Sequence, residues 1–209
     1  VVQALETSHG SETGRFKIQV AEYDGTLGNG LILDGTNTDG EIDVQVGLGA
    51  ASVTAVAGNL TVASKLTCAS RTLAVSSGTD GDHDGDVVYF GATEGMTIGK
   101  IYHYKSDGTW EIANADAVAT SDGLLGVALG AASDTNGVLL RGMVTLDHDP
   151  GAIGDVLYVQ SDNAGTPGNA TATAPSVSGD CVRIIGYQVT HASNGNIWFN
   201  PDSTFIEVA

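Results

Sequence analysis

Lysine and arginine are scarce in this 209-residue chain, 8 against 25 aspartates and glutamates, for a formal net charge of -17. Nucleic-acid affinity comes chiefly from Lys and Arg displacing counterions from phosphates, and anionic lipid surfaces attract the same side chains. A chain this acidic is repelled by both, so no nucleic acid and no membrane surface is expected as a partner. No apolar run approaches the roughly 20 residues of a spanning helix, and no signal-peptide pattern opens the chain. The first residue is Val1 rather than Met, which suits a processed product or a piece of a longer chain. Cysteine is limited to Cys68 and Cys181. Neither sits in a CxxC pair, which excludes a metal knuckle or a thioredoxin-like motif. Both lie among strand-like residues and read as buried free thiols, with a mutual disulfide as the alternative.

Catalytic signatures are also lacking. There is no GxSxG elbow and no Gly-rich loop with the Lys and Ser/Thr of a phosphate cradle. The histidines lie in polar loops or at strand ends. Paired carboxylates for glycoside cleavage cannot be picked out from so many acids. The expectation is a protein that is not an enzyme.

What the chain does have is 42% hydrophobic residues with only 16% charged, too apolar for a disordered composition. Glycine is abundant at 29 residues, alongside Ser, Thr, Asn and Asp. That mixture suits many short strands joined by tight turns, so the fold class is all-β. Three regions follow.

In residues 1–49, Phe16, Ile18 and Val20 alternate with Lys17, Gln19 and Ala21 as in a half-buried strand. Leu31-Ile32-Leu33 makes a second strand. Ile42, Val44 and Val46 alternate with polar residues in a third. Asp24-Gly25 and Asp39-Gly40 are turn dipeptides.

In residues 50–77, apolar side chains sit at Val53, Ala55 and Ala57, then Leu60 and Val62, Leu66 and Cys68, Leu73 and Val75. Gly58-Asn59, Ser64-Lys65 and Ser70-Arg71 break the runs, which restart every six or seven residues. Such periodicity marks a solenoid or fibrous β shaft; helix formers are too few for a coiled coil. Strands this short bury no core alone, so intertwining with copies of the same chain is expected.

Residues 78–209 read as a β-sandwich or barrel head, with turn signals every eight to twelve residues. Ser106-Asp107-Gly108 joins Tyr102–Lys105 to Thr109–Ile112 as a hairpin. Thr135-Asn136-Gly137 separates Leu124–Leu129 from Val138–Leu146, and Asn194-Gly195 marks another hairpin. Ala113–Ser121 is the one candidate for a turn of helix.

Three constellations carry candidate chemistry. Asp80, Asp82, Asp84 and Asp86 alternate along TDGDHDGD, and alternating carboxylates can converge on a Ca²⁺ ion. The match to a calcium loop ends at Gly91, where a bidentate Glu is required, so a solvated acidic linker between shaft and head is preferred. Asp147-His148-Asp149 offers metal ligands or an acid/base pair, but Pro150-Gly151 behind it favours a surface turn. Tyr102, Tyr104 and Trp110 offer rings for stacking on a sugar, against the preferred reading that they fill the core.

The stretches ETSHGSETGRFKIQV, TNTDGEIDVQVGLGAASVTAVAGNLTV, GLLGVALGAASDTNGVLLRGMVTLD, GAIGDVLYVQSD and GDCVRIIGYQVTHASNGNIWFNPDSTFIEV together resemble tail-fibre and related virion proteins of tailed, particularly marine, bacteriophages. The resemblance implies a virion location, a homotrimer, contact with other virion proteins, and attachment to a host glycan or protein. It transfers no binding residue. A capsid decoration protein is the alternative, and a polysaccharide-degrading tailspike the third reading.

Overall fold

The computed structural model describes residues 2–6, 13–21, 25–35, 42–46, 53–56, 60–68, 70–74 and 78–209. The turns at Asp24-Gly25 and Asp39-Gly40, the break at Gly58-Asn59 and the apolar Val75 lie wholly or partly outside these residues. The chain divides into two compact units, Val1–Thr67 and Cys68–Ala209. The fold is all-β: the described residues form fifteen strands, and their helical content is one 3₁₀ turn at Val118–Thr120, within the stretch read as a turn of helix.

The first unit is a four-stranded antiparallel meander of β1 (Val2–Glu6), β2 (Thr13–Ala21), β3 (Leu27–Gly35) and β4 (Ile42–Val46). Residues opposite one another in an antiparallel pair share a face. Phe16 faces Leu33, which faces Val44; Ile18 faces Leu31, which faces Val46. These six residues and Ile42 therefore make one apolar face. The other face carries Arg15, Lys17, Asp34, Asp43 and Gln45 around Ile32, with Arg15 paired to Asp34. The alternation read from the sequence is thus real, yet no described residue of this unit forms a layer on the apolar face. Ile18 is 47% and Val44 60% exposed, and Ile32 is the only buried hydrophobic among the described residues of this unit.

Residues 53–56, 60–68 and 70–74 form no strand and are nearly all exposed. Alternation there is not matched by any partner strand, so the expected short strands are not made within a single chain. Cys68 is exposed and only Cys181 is buried, which corrects the expectation of two buried thiols. Both are free, and burial pushes the Cys181 thiol above its ordinary pKa.

The second unit is built on a curled nine-stranded antiparallel sheet. Its strands are β5 (His83–Val88), β6 (Ile101–Tyr104), β7 (Trp110–Ile112), β8 (Leu125–Ala128), β9 (Val138–Thr145), β10 (Val156–Val159), β11 (Ala170–Thr171), β13 (Ile184–Gln188) and β14 (Asn196–Phe199). A two-stranded ribbon pairs β12 (Cys181–Val182) with β15 (Ile206–Glu207). The long strand β9 organises the sheet: β5 runs along one edge, while β14 and β8 share the other. The hairpins expected at Ser106-Asp107-Gly108 and Thr135-Asn136-Gly137 form as β6–β7 and β8–β9.

Inward residues of β6, β8, β9, β10, β13 and β14 close a core of Ile101, Leu125, Val127, Leu139, Val144, Leu157, Val159, Ile185, Ile197 and Phe199, nearly all fully buried. A second cluster packs Met96, Tyr102, Trp110, Ala128 and Val138.

The acidic run differs from its expected role as a linker, because from His83 onward it is strand β5. Gly85 lies opposite Gly142, whose φ is +145°. A Cβ on Gly142 would stand 2.3 Å from the Asp84 carbonyl oxygen. This glycine pair lets β5 press against β9. Asp84 and Asp86 then project from a strand paired on one edge, where charge discourages pairing with another chain.

Candidate functional site

The structure disperses the four aspartates instead of converging them. Asp80 accepts a hydrogen bond from the Asn194 amide at 2.6 Å. Asp84 and Asp86, on the same face of β5, share Arg71: its guanidinium is 2.8 Å from Asp86 and 3.7 Å from Asp84. Asp84 also accepts the Ala74 N–H at 3.1 Å. Asp82 uses its backbone, donating to Thr79 and accepting from Thr145, and its interactions do not end there. Among the described residues, no group of three or more His, Cys, Asp or Glu side chains is placed to hold a metal ion.

The Asp147-His148-Asp149 turn is a structural strut. His148 Nδ1 lies 2.7 Å from Asp147, and Nε2 lies 3.0 Å from the Ala170 nitrogen and 3.1 Å from the Ala170 carbonyl oxygen. Lys100 reaches the other Asp147 oxygen at 2.8 Å. Burial raises the Asp147 carboxyl, but hydrogen bonds and charge from Lys100 and His148 outweigh it and hold the group below its ordinary pKa. Asp149 turns away to His191 at 2.8 Å and to the Gln188 amide at 3.2 Å.

The aromatic trio is mostly core. Tyr102 and Trp110 are buried, and the Tyr102 hydroxyl accepts the Thr97 N–H. Trp110 donates to the Phe90 carbonyl and stacks on the Phe90 ring. Tyr104 is half-buried against the same two rings.

The residues that the sequence reading passed over lie on the outer face of the head sheet. Across β10, β13, β14, β9 and β5, register places Val156, Tyr187, Trp198, Met143 and Asp84 in one row. Arg141, opposite Asp86, sets its guanidinium 5.6 Å from the Trp198 ring centroid. On a solvent-facing sheet surface polar residues are the ordinary choice, so this row is an anomaly.

Its exposed end is shaped by a bulge. The register of β13 against β10 slips between Leu157 and Tyr158, so that Ile184 and Gly186 face consecutive residues. Gly186 has φ +152°, and a Cβ there would lie 1.9 Å from the Trp198 carbonyl oxygen. An extra residue on one strand re-aims its side chains. Ile184 and Tyr187, three apart, therefore both point outward, 37% and 48% exposed, while Ile185 goes to the core.

Beyond β14 the chain stays against β13. Asn200 N–H donates to the Ile185 carbonyl at 2.8 Å and Asp202 N–H to the Ile184 carbonyl at 2.9 Å. From below, the buried Arg183 donates Nε to the Asp202 carbonyl at 2.6 Å and a terminal nitrogen to the Ser121 and Gly123 carbonyls. Burial lowers the Arg183 pKa. The result is an open cleft of about 470 Å³ lined by Ile184, Tyr187, Asn200, Pro201, Asp202 and Ser203. Its chemistry is a phenol ring and an aliphatic wall facing an amide, a carboxylate and a hydroxyl.

Two signals in the sequence point here: a glycine inside a strand pattern, Gly186, which marks a bulge, and Asn200-Pro201-Asp202, which marks a turn held at a strand end. A smaller hollow of about 190 Å³ lies by Ser161, Thr171, Pro175 and Asp180. The buried Asp180 is already satisfied there by Ser161 Oγ and the Val177 N–H.

Set against protein-family models, curated proteins and solved structures, the chain matches none of them.

Proposed function

We propose that the chain is a non-catalytic structural subunit of a virion: a tail-fibre protomer that trimerises through its N-terminal unit and carries the C-terminal unit as an attachment head. The observation that supports this reading is the apolar face of Phe16, Ile18, Leu31, Leu33, Ile42, Val44 and Val46, which no layer among the described residues of its own unit covers. Burial of apolar surface is worth about 25 cal/mol per Å², and a four-stranded sheet with one buried hydrophobic among its described residues gains little of it alone. Copies of the chain supply the missing layer. The face is self-complementary because it bears no charge, while Arg15, Lys17, Asp34 and Asp43 are kept on the other side.

The test is labelling of virions with an antibody to this chain. Gold on the tail fibres is expected. Label spread evenly over the capsid would instead make the chain a decoration protein, and release of reducing ends from host capsule would make it a depolymerising spike.

A further inference from the structure

We propose that the cleft between β13 and the Asn200–Ser203 turn binds a neutral pyranose of a cell-surface glycan. The proposal rests on the attachment reading above and deepens it by naming a site and a ligand class. A sugar ring presents an apolar C–H face and a rim of hydroxyls. Tyr187 offers an exposed ring for the first, with Ile184 beside it. The rim needs donors and acceptors together. The Asn200 amide and the Ser203 hydroxyl supply both, and the Asp202 carboxylate accepts. Asp202 Oδ1 is oriented by the Thr204 N–H at 3.0 Å, which leaves Oδ2 for a sugar hydroxyl.

The cleft is also held open before any ligand arrives. Its two walls are joined by the Asn200 and Asp202 backbone bonds and by Arg183, and a site fixed in advance loses less entropy on binding. The volume of about 470 Å³ lies within the ordinary range for small-ligand pockets.

Three observations select this occupant over others. An anionic polysaccharide would meet the Asp202 carboxylate and a chain of net charge -17, so uronate-bearing and sialylated glycans are disfavoured. An extended peptide would need an open strand edge, and β13 is paired by β10 on one side and β14 on the other. A second copy of the chain would have to desolvate Asp84, Asp86 and Arg141 on the same face, a cost that the charge-free apolar face of the first unit does not carry. The row running from Tyr187 to Trp198 and Met143 gives further sugar units of an oligosaccharide a surface to lie on.

The experiment is binding of the full chain to an array of neutral oligosaccharides built from glucose, galactose, mannose and N-acetylglucosamine, with uronate-containing and sialylated oligosaccharides alongside. The expected result is binding to neutral members only, weakened roughly tenfold by Tyr187→Ala and by a similar factor in Asn200→Ala. His191→Ala, at an exposed position outside the cleft, leaves it unchanged. Circular dichroism melting confirms that the variants fold. Absence of binding to every neutral member overturns the proposal, as does unchanged affinity in folded Tyr187→Ala, or binding confined to acidic members. A Tyr187→Ala protein that dissociates into single chains would make the cleft a copy-to-copy contact and also overturn it. Virions labelled on their fibres while Tyr187→Ala binds normally would remove the sugar site alone. Loss of binding in Tyr187→Ala with label on the capsid would remove the fibre reading and keep the site.

Discussion

The two units carry apolar sheet faces of different kinds. The face of the first unit is mostly aliphatic and free of charge, with Phe16, Ile18, Leu31, Leu33, Ile42, Val44 and Val46 meeting across three strands. The second unit has a buried core of its own around Leu139, Val144 and Phe199. What it leaves outside is a row of Tyr187, Trp198 and Met143, edged by Asp84, Asp86 and Arg141. Hydrophobic burial is non-directional, so the first kind of face suits permanent packing against an identical one. Rings and hydrogen-bonding groups are directional and tolerate water, so the second kind suits a ligand that comes and goes.

The largest effect is expected from the first unit. The pair Ile18→Ser and Val44→Ser removes two apolar side chains from each copy, about 3–6 kcal/mol per copy if both are buried in the assembly. Sedimentation should show single chains, with the melting of the head unchanged. Intact oligomers in this variant would break the contrast between the faces.

Next comes the core of the head. Phe199→Ala is expected to destabilise it by about 3–5 kcal/mol in denaturant melts, because Phe199 is fully buried. Slightly smaller, about 2–3 kcal/mol, is Arg183→Met, which leaves the Ser121, Gly123 and Asp202 carbonyls without their donor. It should also loosen the Asn200–Ser203 turn, seen as faster amide exchange there.

A modest pH effect follows from Asp147. Its folded pKa lies below the ordinary carboxylate value, so it stabilises the head above about pH 4. That contribution fades as pH falls through the folded value. Asp147→Asn should lower stability at neutral pH and flatten the acid limb of a pH–stability curve; an unchanged acid limb would contradict the ion pair with Lys100.

The smallest effect concerns the acidic strand. With Asp84 and Asp86 both drawn to the one Arg71 guanidinium, added Ca²⁺ should leave the melting temperature where it was, and Arg71→Ala should cost within about 1 kcal/mol. A clear rise in melting temperature with Ca²⁺ would restore the aspartates as ligands.

Much of this contrast was legible in the sequence, and the parts that were not have physical causes. Turn chemistry at Ser106-Asp107-Gly108 and Thr135-Asn136-Gly137 announced two hairpins, because few residues adopt those backbone angles cheaply. Strand β5 was hidden, since its carboxylates look like a linker until Gly85 and Gly142 are seen to let it press on β9. The cleft was hidden because the bulge at β13 breaks the two-residue period that sequence reading relies on, throwing Ile184 and Tyr187 to the same side. The alternation between Val53 and Val75 was visible, but its described residues form no strand within one chain. Pairing between chains is not written in the pattern of one.

Self-association of the N-terminal unit is the claim on which the account turns. Its most direct test is the molar mass of the full chain by light scattering coupled to size exclusion. The account predicts three times the mass of one chain at micromolar concentration, falling to a single chain in the Ile18→Ser and Val44→Ser variant. A folded native protein that elutes with the mass of one chain would contradict it.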